Sequence, residues 1–158
     1  MRALALALLL AACHRAATGA DTPGARLEAA AVARGLVADP AAPLTGSWVR
    51  DTDRLCIVPT RDGLRLGASV DYGQGQGCAA SGAARRTGTG VRVDFGACRF
   101  DAAFDGERIN FPAELPAACE RFCSGRASLS ALAVERLSES VSEAQTLRAP
   151  NGRLLCGG

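Results

Sequence analysis

Cysteine is the side chain here with the widest choice of chemistry, since a thiol can be acylated, oxidised to a disulfide, or deprotonated to hold a metal. The chain carries 7 of them: Cys13 near the start, then Cys56, Cys78, Cys98, Cys119, Cys123 and Cys156. Cys119 and Cys123 form the one close pair and could supply half of a zinc site. Zinc would need two further ligands at workable spacing, and the one histidine, His14, lies far upstream, so no metal and no cofactor is expected. The same shortage removes Ser–His and Cys–His catalysis, which need a base of suitable pKa beside the nucleophile. Carboxylate pairs can still do acid-base work. Asp94, Asp101, Asp105, Glu107, Glu114 and Glu120 offer many combinations, none distinguishable by spacing from ordinary surface solvation. A cell-wall glycan hydrolase built on two of them would hold its carboxylates roughly 5 to 9.5 Å apart across a cleft.

Two other patterns carry less. Gly73-x-Gly75-x-Gly77 evokes a phosphate cradle, but the spacing is not GxGxxG, the chain has no lysine, and the flanks read as a hairpin, so a flexible loop is expected. Asp51 and Asp53 open like a calcium loop, yet Leu55 and Cys56 stand where a third ligand and a glycine belong.

The elements that position the cysteines begin with an address. Arg2 precedes an unbroken apolar run, Ala3 to Ala12, too short for a membrane span of about 20 residues but within the usual length of a signal-peptide core. The run ends Leu10-Ala11-Ala12-Cys13, which resembles the lipobox of bacterial lipoproteins. That resemblance implies a leader over 1–12, cleavage before Cys13, diacylglyceryl transfer to its thiol, and a membrane partner reached through that lipid. Two or three acyl chains hold where one binds only reversibly. Residue 14 is histidine rather than the aspartate of an inner-membrane retention signal, so the resemblance implies the outer membrane, facing the periplasm. Cleavage after Ala20 is the competing expectation and would release a soluble protein. Residues 13–23, small and polar, read as a lipidated tether, and 24–158 as one β-rich, disulfide-bearing domain.

With Cys13 given to lipid, an even number of cysteines is left for an oxidising compartment, and up to three disulfides are expected, with 15 possible pairings. The arginines are scattered and the net charge is only +2, which excludes a clustered nucleic-acid face.

Thr22-Pro23 reads as a helix start and Gly35 as its stop, giving a short alanine-rich helix. From Gly46 onward apolar residues alternate in short runs broken by Gly or Asp-Gly. Strands are predicted at 46–50, 54–59, 64–71, 78–86, 91–95, 98–104 and 107–111, with turns at Asp62-Gly63 and Asp105-Gly106. From Ser128 to Arg148 apolar residues recur at helical spacing, yet Ala131 to Ser138 could equally be a last strand; a strand near 127–136 and a helix near 139–148 are favoured, after which Asn151-Gly152 turns Leu154 to Cys156 back. The fold class expected is mainly β: a small antiparallel meander barrel or a sandwich, with an N-terminal helix and a short C-terminal one.

Function follows only coarsely. A non-catalytic envelope lipoprotein, a binding module with an envelope protein partner, is the leading expectation, and the carboxylate hydrolase is the alternative. Ala80-Ser81-Gly82-Ala83-Ala84-Arg85 is loosely similar to the Ser-Gly segment of the membrane-bound lysozyme inhibitors. That similarity implies Ser81 and Arg85 as contacts to an acidic lysozyme cleft, although the second, lysine-bearing motif of that family has no counterpart.

Overall fold

The computed structural model describes residues 22–88 and 90–157. The chain divides into two compact units between Val37 and Ala38. The first holds helix α1 (Pro23–Ala33). Thr22 caps it, its Oγ1 accepting the Ala25 N–H at 3.1 Å, Pro23 occupies the first turn, and Gly35, at φ +66°, ends it. No residue of α1 is buried.

The second unit is an eight-stranded antiparallel barrel. Its strands are β1 (Gly46–Arg50), β2 (Asp53–Thr60), β3 (Gly63–Asp71), β4 (Gly77–Thr87), β5 (Gly90–Phe95), β6 (Cys98–Phe104), β7 (Arg108–Asn110) and β8 (Ala133–Ser138). Each pairs with the next, and β8 returns to β1 through Trp48 opposite Arg136 and Val49 opposite Glu135, so the meander closes as a barrel rather than a sandwich. Gly46 makes that closure possible: at φ +130°, any Cβ there would lie 2.1 Å from the Ser138 carbonyl oxygen.

Alternation decides which side chains fill the barrel. On β6, Cys98, Phe100, Ala102 and Phe104 are buried while Arg99, Asp101 and Ala103 face water; on β5, Val91, Val93 and Phe95 point inward with them. A barrel of eight strands leaves an interior that side chains just fill, and here Trp48, Leu55, Ile57, Leu66, Ile109 and Val134 occupy it. One end is plugged by Phe111, the 3-10 turn Ala117–Phe122, Leu129 and Leu132, with Phe100 edge-on to Phe111 at 4.7 Å and Phe95 edge-on to Phe122 at 5.8 Å. The opposite end is covered by residues 40–45. Arg86 donates to the carbonyls of Pro40 and Ala42, and Arg136 to those of Pro43 and Thr45.

β2 breaks the alternation, because Leu55 to Val58 are all buried. Its outer face carries a second apolar layer, in which Cys56 and Val58 pack against Ala144 of helix α2 (Val141–Thr146), Ala149, Leu155 and Cys156. This C-terminal strap also crosses β3, where a Cβ on Gly67 would sit 2.5 Å from the Leu155 carbonyl oxygen.

The last strand follows the alternative bounds, 131–138, rather than the favoured ones. Instead of 127–136 it occupies Ala133–Ser138, because Ser128 to Leu132 form a turn with Ala131 at φ +57°. Leu129 and Leu132 are buried as part of the end plug, so their spacing reflects neither helix nor strand. The predicted helix at 139–148 shortens to Val141–Thr146, started by Ser140, whose Oγ accepts the Glu143 N–H at 3.3 Å.

Candidate functional site

Cys13, the leader 1–12 and the tether as far as residue 21 lie outside the described residues. The other six cysteines form three disulfides, Cys56–Cys156, Cys78–Cys123 and Cys98–Cys119. Cys119 and Cys123, the close pair in sequence, are therefore partners of different strands, β6 and β4, and the second and third bridges pin the plugging segment to the barrel. Among the described residues no cluster of His, Cys, Asp and Glu could hold a metal ion.

The acidic candidates are dispersed. Asp94 accepts from Arg99 at 2.7 Å and Asp101 from Arg92 Nη2 at 2.7 Å, both on the outer wall. Asp105 caps its own turn, accepting the backbone N–H groups of Glu107 and Arg108 at 2.9 and 2.7 Å. The arginine bond, then the Gly96 N–H, holds the Asp94 carboxyl below the usual carboxylate range, and the Arg92 bond does the same for Asp101. A carboxyl held ionised in this way is a poor proton donor. Because folding lowers these pKa values, the stabilisation is present above the ordinary aspartate pKa and disappears as pH falls through the folded value. Melting curves at low salt should thus show a pH-dependent loss of stability on acidification below about pH 4. In the Asp94→Asn, Asp101→Asn double variant that part of the loss is absent, and high salt shrinks it in the parent because both pairs are exposed.

Ser81 and Arg85 both face solvent on the outer side of β4, four residues apart. They share a face without forming a pocket together. Ser81 instead lies at one end of a trough that sequence reading missed. A hollow of about 740 Å³ is bounded by the β3–β4 turn Gly73–Gly77, the start of β4, Arg121 to Ser124, and Pro150, Asn151 and Arg153. It shares Ala79, Phe122, Asn151 and Arg153 with a neighbouring hollow of about 210 Å³ that reaches Ala80, Ser81 and Leu155.

The glycine-rich turn is fixed rather than flexible in its bonding. Gly73, Gln74 and Gly75 all take positive φ, the Tyr72 N–H donates to the Gln76 carbonyl at 2.8 Å, and the Ser124 hydroxyl donates to the Gly75 carbonyl at 2.8 Å. The Cys78–Cys123 bridge brings Ser124 to that position, so the same covalent link that plugs the barrel builds one wall of the trough. The other wall is the strap, held by Cys56–Cys156. In polarity the trough offers the guanidinium groups of Arg121 and Arg153, the amides of Gln74, Gln76 and Asn151, the Phe122 ring, and a single acid, Asp71. The signal in the sequence that points to it is the GQGQG turn, which forms one of its walls.

In sequence the chain matches no family model and no curated protein, and in fold it matches no solved structure.

Proposed function

We propose that this chain is a lipid-anchored protein of the cell envelope that acts as a non-catalytic interaction module, displayed from the outer membrane towards the periplasm. The observation that carries the reading is where the concavity lies. The barrel axis is filled by side chains, whereas a hollow of about 740 Å³ lies on the outer wall, framed by segments that two disulfides fix in place. Rigid framing lowers the ordering cost of binding. The disulfides fit an oxidising compartment, and the leader over 1–12 supplies the route and Cys13 the anchor.

Replacing Cys13 with serine is the direct test of the anchor. The parent protein should sediment with membranes and carry a lipid adduct by mass spectrometry, and the Cys13→Ser variant should lose both. Unchanged fractionation removes the anchor from the proposal. An envelope extract passed over the immobilised chain should then yield the same protein partner repeatedly; recovery of none defeats the interaction module.

A narrower reading, inhibition of c-type lysozyme, is supported by Ser81 and Arg85 both pointing outward from one barrel strand. Under it, titration of the protein into c-type lysozyme abolishes lysis of cell walls, and the Ser81→Ala, Arg85→Ala variant inhibits less. Full lysozyme activity at saturating protein excludes this version.

A further inference from the structure

We propose that the outer-wall trough receives an extended, acidic segment of a protein partner, seated between Arg121 and Arg153 and hydrogen-bonded to the backbone of Ser81, the β4 residue left between the Cys78–Cys123 bridge and the ladder to β5. The inference rests on the chain being an interaction module and specifies where and what it binds.

β4 starts at Gly77, but its ladder with β5 starts only at Ala83 opposite Asp94. Before that point the side of β4 turned away from β3 meets only the isolated bridge from Cys78 to Cys123. Gly77 shows which way the groups point, since its carbonyl accepts the Ser124 N–H at 2.8 Å and its own N–H donates to the Ser124 Oγ at 3.3 Å. Backbone groups in an antiparallel strand repeat their direction every two residues, so Ser81 sends its N–H and C=O to the same side. No strand lies beside Ser81 there among the described residues.

An outward backbone N–H and C=O at Ser81 can give an extended peptide two main-chain hydrogen bonds, with flanking side chains supplying selectivity. The flanks here are cationic. Among the described residues the Arg153 guanidinium makes no hydrogen bond or ion pair, and the Arg121 guanidinium lies 5.3 Å over the Phe122 ring with its donors otherwise uncommitted. The one acid in the trough, Asp71, is turned to its own loop, with Oδ1 accepting the Gly73 N–H at 2.8 Å. Two unmatched guanidinium groups select a segment that brings carboxylates, because the fork geometry of arginine pairs with them bidentately.

The test titrates a labelled peptide alternating Asp and Thr into the purified full chain and follows fluorescence anisotropy, beside the Asn-Thr counterpart and an oligogalacturonate of matched charge. The inference expects saturable binding of the acidic peptide, weakened by salt, and at least about tenfold weaker in the Arg121→Gln, Arg153→Gln variant. It also expects comparable loss in Ser81→Pro, which removes an outward N–H while sparing the ladder to β3, and none in Ser81→Ala. Equal affinity for the Asn-Thr peptide, or undiminished binding by the double arginine variant, overturns it. So does binding of the oligogalacturonate without the peptide, which would make the trough a saccharide site. A partner recovered from envelope extract that binds the double variant as tightly as the parent also overturns the trough, while leaving the interaction module itself standing.

Discussion

Removing the Cys56–Cys156 bridge, by replacing both residues with alanine, should lower the free energy of unfolding by about 4 kcal/mol. The two cysteines are 100 residues apart in sequence, the widest of the three disulfide separations. Closing so long a loop removes much conformational freedom from the unfolded chain, worth nearly 5 kcal/mol on the loop-entropy scale. The Cys78–Cys123 bridge lies inside that loop and already shortens the free path to roughly half, but the dependence on length is logarithmic, so most of the effect survives. A local loss accompanies the global one. The strap rests on a small apolar layer of Cys56, Val58, Ala144, Ala149, Leu155 and Cys156, and without the covalent tie it can open independently of the barrel. Urea unfolding measures the first effect. Hydrogen exchange measures the second, with the amide of Leu155, which donates to the Leu147 carbonyl at 2.9 Å, losing protection before the amides of β5 and β6. An unchanged unfolding midpoint would show that the strap is held by packing alone.

Replacing Arg136 with alanine should cost about 3 kcal/mol, an unusually large effect for a charged side chain. Arg136 is the β8 residue that points into the barrel mouth, with its side chain 15% exposed. Its guanidinium lies 4.1 Å from the centroid of the Trp48 ring and donates to the carbonyls of Pro43 at 2.6 Å, Gly106 at 3.1 Å and Thr45 at 3.4 Å. Glu139, 3.8 Å away, is the nearest acid, so carbonyl dipoles and the ring face carry most of the neutralisation. Burial lowers its pKa from the ordinary arginine value, against the opposing pull of Glu139 and Glu107, yet the group stays charged throughout the range in which proteins fold. Truncation removes the ring contact and strands three carbonyls from two separate segments at the mouth. Lysine does not restore them, since an ammonium lacks the planar fork that reaches all three. Trp48 is the single tryptophan of the chain and is fully buried, with its indole N–H unpartnered among the described residues, so its fluorescence reports this site alone. The Arg136→Ala variant should show a red-shifted emission and a lower melting temperature, while Arg108→Ala, which breaks an exposed 3.1 Å pair with Glu135, should change neither appreciably. An unshifted emission in Arg136→Ala would mean that residues 40–45 close the mouth without it.

Much of the barrel wall is legible in the residues. Val91, Val93 and Phe95, then Cys98, Phe100, Ala102 and Phe104, alternate with charged or small neighbours because one side of each strand meets the core and the other meets water. Legibility fails where that rule does. β2 is covered on both faces, so Leu55 to Val58 show no period, and what covers it lies about a hundred residues downstream. Leu129 and Leu132 are buried in a turn that plugs the barrel, so their spacing mimics an element that does not exist. The choice between barrel and sandwich depends on β8 meeting β1, a pairing that no local pattern encodes. The trough was invisible for a related reason. Its walls come from the β3–β4 turn, from residues joined to β4 by Cys78–Cys123, and from the C-terminal strap, and sequence leaves cysteine pairing open. Ser81 lies in a faint motif and borders that trough, whereas Arg121 and Arg153 carry no motif at all.

The seam between Val49 and Glu135 also sets a schedule. Hairpins from β1 to β7 can assemble one after another as the polypeptide emerges, but the ring stays open until its eighth member arrives, and every earlier intermediate exposes two bare edges and an unsealed interior. Closing the ring therefore removes both edges at once, and a form of the chain without β8 is the one whose bare edges favour self-association.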